Sequence, residues 1–130
     1  MRAVTDLRPL TPEEEKLLRW VLEHGTDEAK SYLPQIEGMR AKTSCSCGCP
    51  SIVLVVSDDA PAAIAAKERI VVDLSGQTAE GISVGVLLFQ DDGKLSELEI
   101  YPYGDEGKFG LPTIKSLSPF EADKPVSSKS

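Results

Sequence analysis

The sequence predicts an α+β domain, with N-terminal helices packed on one face of an antiparallel sheet of four to five strands, and three observations predict it. Apolar residues recur at helical spacing before Gly38. From Met39 onward the period changes to two. Helices and strands thus come in separate runs rather than alternating, which argues against a wound βαβ sheet. The 130 residues, 41% of them hydrophobic, suit one core. Residues 1–117 are expected to form one domain, and 118–130 a flexible polar tail, because the chain from Pro119 onward has too few apolar residues to offset the entropy of ordering.

The first helix is expected from about Pro12 to His24. Thr11 is its N-cap, Pro12 sits where a missing N–H costs nothing, and Glu14 completes a capping box. Leu17, Leu18, Val21 and Leu22 make one apolar face with Trp20 at its margin, and Gly25 is expected to stop the helix in left-handed geometry. Thr26, Asp27 and Glu28 start a second helix carrying Ala29, Tyr32, Leu33 and Ile36. Pro34 must kink or divide that helix, and Gly38 ends it.

Met39, Ala41, Thr43 and Cys45 alternate with Arg40, Lys42 and Ser44 as a half-buried strand. Ile52 to Val56 is β-branched and apolar on both faces, which makes it the expected central strand. Residues 58–68, alanine-rich around Pro61, fit a loop or a helical turn equally well. Ile70, Val72 and Leu74 mark a third strand, with the connection beginning at Ser75. Ile82 to Gln90 and Lys94 to Tyr103 form a hairpin through Asp91, Asp92 and Gly93, since Asp and Gly accept positive φ.

Charge and hydropathy exclude some function classes. With 14 Lys and Arg against 21 Asp and Glu, the net charge is -7, which repels a phosphate backbone and leaves a basic protein as the favoured partner. Nucleic acid and membrane are not expected partners. No apolar stretch approaches the ~20 residues that span a bilayer, and Met1 to Leu10 lacks a secretory core, so a cytoplasmic protein is expected. Gly76, Gly81 and Gly85 lack the Gly-Lys-Ser/Thr ending of a phosphate-binding loop.

Two groups of residues could carry chemistry or binding. Cys45, Cys47 and Cys49 are the chain's three cysteines, and Gly48 would let the chain curl so that three sulfurs reach one zinc ion. His24, the sole histidine, is the candidate fourth ligand, although its place after a helix also suits a partner for the helix dipole. The leading reading of the cysteines is small buried hydrophobes at a strand end, with thiols activated by Arg40, Lys42 or His24 as a further alternative. Glu97 and Glu99 share a strand face with Tyr101 and Tyr103, opposite Leu98 and Ile100. Their spacing suits paired acid and base carboxylates. It also suits a solvated sheet face or an acidic, tyrosine-bearing interaction surface.

Leu10-Thr11-Pro12-Glu13-Glu14 with Leu17-Leu18, Cys47-Gly48-Cys49-Pro50-Ser51, Leu87-Leu88-Phe89, and the run Asp92-Gly93-Lys94-Leu95-Ser96-Glu97-Leu98-Glu99 together resemble a group of small bacterial proteins of unknown function. That resemblance spans most of the chain up to about Gly104 and implies no activity, cofactor or catalytic residue. The expected function is a non-catalytic binding or protein-interaction module, such as an inhibitor or immunity-like protein masking a basic partner. The alternative is a zinc-binding or thiol-redox protein built on the cysteine cluster.

Overall fold

A computed structural model of the chain describes residues 7–43, 50–63, 69–104 and 109–119. Helix α1 spans Pro12–Glu23, and its start is the predicted capping box. Thr11 Oγ1 accepts the Glu14 amide at 3.1 Å while Glu14 Oε1 accepts the Thr11 amide at 3.0 Å. Both donors would otherwise lack helical partners. The same carboxylate accepts two nitrogens of the Arg8 guanidinium, at 2.8 and 2.9 Å, which ties strand β1 (Arg8–Pro9) to the helix start.

The end of α1 departs from expectation. His24 is the C-cap, and Gly25 is not among the residues with positive φ. Gly25 provides space instead: a Cβ there would stand 2.8 Å from Ala29 Cβ and 3.1 Å from the Val21 carbonyl. Pro34 divides the next helical segment into α2 (Asp27–Lys30) and a 3-10 turn, Leu33–Ile36, that holds the proline in its first turn. Gly38 then turns the chain at φ 74°.

Among the described residues, the other strands are β2 (Arg40–Thr43), β3 (Ile52–Val55), β4 (Ile70–Gln77), β5 (Ser83–Asp91), β6 (Lys94–Pro102) and β7 (Ser118–Pro119). They pair antiparallel in the order β1-β2-β3-β6-β5-β4-β7. The chain is therefore α+β, but the expectation of four to five strands was too low. β1 and β7 add two residues each at the edges, and two residues are too few to show a period in sequence. Ser118 and Pro119, assigned above to the tail, pair with Ser75 and Leu74 of β4.

Two further boundaries shift. β6 rather than β3 holds the middle of the sheet, because the long hairpin docks its second strand on β3. β4 continues through Gln77 instead of giving way to a connection at Ser75, with Leu117, Ser116 and Pro112 packed over Gly76 where a side chain would otherwise stand. Residues 58–63 form a loop; 64–68 lie outside the described residues.

The hairpin turn is the two-residue kind. Asp91 pairs with Lys94, and Asp92 and Gly93 take φ 53° and 83°, the signature of a type I′ turn. Opposite it, Gln90 pairs with Leu95 and Phe89 with Glu97, so Ser96 is an extra residue, a β-bulge. The bulge resets the alternation, which puts Leu95, Leu98 and Ile100 on one face despite their odd spacing.

That face carries the core. Ile52, Leu98, Leu88 and Val72 lie in one cross-strand row and cluster with Leu17, Leu18, Val21, Leu22, Tyr32 and Ile36 from the helical segment. Burial of such side chains contributes about 1.5–3 kcal/mol each and dominates the stability of the fold. One buried polar side chain joins the two halves. Gln35 Nε2 donates to the carbonyls of Gly93 (2.8 Å) and Pro61 (3.1 Å), and Gln35 Oε1 accepts the Leu95 amide at 3.0 Å.

Candidate functional site

The opposite face of the sheet is where the sequence-predicted residues meet. Cross-strand partners share a face, so the register lays them out in rows. Lys42, Val53, Glu97, Phe89 and Ile70 form one row. Glu99, Leu87 and Asp73 form the next, and Tyr101, Gly85 and Ser75 the one after. Arg40 beside Val55 extends the surface at the β2 margin. The face thus has cations at the β2 margin, acids and a tyrosine along the central β6, apolar side chains on β3 and β5 to either side of it, and Asp73 on β4.

This second face is wetter than the first but not polar. Val55 is 39% exposed, Ile70 44% and Tyr103 48%, while Val53, Leu87, Phe89 and Tyr101 are half-buried. An antiparallel sheet commonly leaves one face to water, and such a face normally carries polar residues. Here aliphatic and aromatic side chains occupy much of it.

Tyr101 is set by a glycine. The side chain lies across Gly85, its direct partner, in a place where any Cβ on residue 85 would overlap the ring. Tyr103 meets Tyr101 edge-on, with ring centres 5.7 Å apart, a favourable geometry for aromatic quadrupoles. Burial pushes the Tyr101 hydroxyl above its usual pKa, and Tyr103, Asp73 and Glu99 nearby push the same way. Burial likewise raises Asp73. Among the described residues neither Asp73 nor Glu99 has an ion pair.

Farther along the face, the Arg69 guanidinium stands 5.0 Å over the centre of the Phe89 ring. It also pairs with Asp91, Nε to Oδ1 at 3.1 Å and Nη2 to Oδ2 at 3.4 Å. Beside Tyr103, a hollow of about 340 Å³ opens between β4 and β7, lined by Ser75, Gln77, Ser83 and Ser118.

The other candidates separate from this surface. His24 stacks on Trp20, ring centres 4.1 Å apart and 15° from parallel, and its Nδ1 lies 3.0 Å from the Trp20 carbonyl oxygen at the end of α1. Such a contact caps the helix terminus. Cys45, Cys47 and Cys49 lie outside the described residues. Among the described residues, no group of three or more His, Cys, Asp or Glu side chains is placed to hold a metal ion, and no helix is long and apolar enough to cross a membrane.

Sequence reasoning picked Glu97, Glu99, Tyr101 and Tyr103 and missed Asp73, Gly85, Leu87 and Phe89. The period-two pattern does place Asp73 opposite Val72 and Leu74, and Leu87 and Phe89 opposite Leu88. What the pattern lacks is the register that brings β4, β5 and β6 side by side. In comparisons with known proteins, no family, no curated protein and no solved structure matches this chain.

Proposed function

We propose that the chain is a non-catalytic protein-interaction module that binds a basic partner through the second face of its sheet. The observation that carries this reading is the ordered mixture on that face: apolar Val53 of β3 and Leu87 and Phe89 of β5 lie on either side of β6, which carries Glu99 and Tyr101 beside Tyr103, with Asp73 beyond on β4, and among the described residues neither Asp73 nor Glu99 has an ion pair. Apolar side chains supply association energy, and Tyr is enriched in interfaces because it offers large contact area with a polar tip. Acidic side chains among them add steering and register toward a cationic partner, in keeping with the net charge of -7. An inhibitor-like protein that masks a basic surface is the specific form this takes.

The test is affinity capture from the source cell with two baits: the native chain and the double variant Asp73→Lys, Glu99→Lys, both verified as folded by circular dichroism. A partner held by the native chain and lost by the variant is the expected result. A partner held equally by both baits would move the interface off this face and overturn the reading.

A further inference from the structure

The second face contains two aromatic and carboxylate settings, one filled and one open. In the filled setting, Arg69 lies over Phe89 and pairs with Asp91 through two of its nitrogens. A guanidinium suits this double role because it is planar and weakly hydrated, so it can stack on a ring while its edge forks onto a carboxylate. In the open setting, Tyr101 and Tyr103 present ring edges and faces beside Asp73 and Glu99, and among the described residues neither carboxylate has an ion pair. The hollow beside Tyr103 adds acceptor oxygens from Ser75 and Gln77.

We propose that the Tyr101–Tyr103 corner, with Asp73 and Glu99, receives an arginine side chain of the basic partner, stacked as Arg69 stacks on Phe89. This inference rests on the reading of the face as the interaction surface, and it names the group that the surface recognises. A lysine ammonium would satisfy the charge but not the stacking, since it is a compact, strongly hydrated point charge. The raised carboxyl of Asp73 and raised hydroxyl of Tyr101 agree with a partly desolvated acidic corner in which, among the described residues, neither Asp73 nor Glu99 has an ion pair.

The full chain, labelled with ¹⁵N, is titrated with capped hexaarginine and capped hexalysine at equal ionic strength while amide shifts are followed. Hexaarginine should shift the amides around Asp73, Gly85, Glu99 and Tyr101 and bind about two- to fivefold tighter than hexalysine, the scale of an exposed cation–π contact. Asp73→Asn with Glu99→Gln should weaken both peptides, and Tyr103→Leu should remove the preference for arginine while leaving the charge-driven part. Equal affinity for the two peptides, shifts confined to Glu13–Glu15 of α1, or no shift at all would each overturn the proposal. Self-association of the chain across this corner, seen by sedimentation and abolished by Tyr103→Leu, would also overturn it in favour of a second copy. If the peptides fail while the charge-reversed bait still loses its cellular partner, the arginine is wrong and the interaction face stands; if both fail, the face itself is wrong.

Discussion

The two faces of the β5–β6 hairpin are made from the same two nine-residue strands, yet they are opposite in kind. On one, Val84, Val86, Leu88, Leu98 and Ile100 are sealed against the helical segment. On the other, Leu87 and Phe89 stand half-buried beside Glu97, Glu99 and Tyr101 with no helix of the described residues over them. The difference teaches that apolar content does not define a core here. Cover does, and the Ser96 bulge decides which residues receive it.

The sharpest way to break this contrast is to truncate one leucine on each face. Leu98→Ala should cost about 2–5 kcal/mol, because a fully buried side chain leaves a cavity that its neighbours only partly fill. Leu87→Ala should cost about 1 kcal/mol, since its side chain already touches water. Urea denaturation of the two variants measures the gap. Equal losses would mean that the second face is as covered as the first.

The turn that joins the two strands is held from the core side, and its failure should rank next. Gly93→Val should cost about 2–4 kcal/mol: about 1–2 kcal/mol of left-handed strain, with further loss because any Cβ at this position overlaps the Ala63 carbonyl. Gln35→Leu should cost about 1–3 kcal/mol, because it leaves the Leu95 amide buried without its acceptor. Hydrogen exchange at Leu95 would locate this effect, and unchanged protection there would show that Gln35 is not what holds the turn.

How much of this could be read from the chain follows the range of the interactions involved. The capping box at Thr11 and Glu14, the division at Pro34 and the type I′ turn at Asp92 and Gly93 are decided by residues within four positions of one another, and each was legible. Gly25 was assigned the right boundary for the wrong reason, since its role depends on how closely Ala29 packs back on α1. The acidic tyrosine strand was legible as a pattern, but its surroundings were not. Asp73 and Gly85 join Tyr101 through pairings across three strands, and alternation fixes a face without fixing a neighbour.

The two carboxylates that best separate the faces are Glu14 and Asp73, and they should respond to pH in opposite directions. Burial of Glu14 works against its charge, but the hydrogen bonds from Arg8 and Thr11 outweigh it and hold the carboxyl below the usual range. Its stabilising effect is therefore present above the unfolded pKa and lost as pH falls through the lower folded value. Asp73 is raised by burial alone, so its protonated form fits the folded chain better, and its contribution is lost as pH rises through the folded value. Glu14→Gln should lower the melting temperature at neutral pH, with the deficit shrinking in acid once wild-type Glu14 is protonated. Asp73→Asn should leave the neutral melting temperature unchanged or slightly higher, because the residue is exposed and has no ion pair among the described residues, and should match the wild type in acid. Melting curves across the carboxylate range decide the matter: if Asp73→Asn instead destabilises at neutral pH as Glu14→Gln does, Asp73 already has a stabilising cation in the folded chain and the corner beside Tyr101 is not open to a partner's arginine.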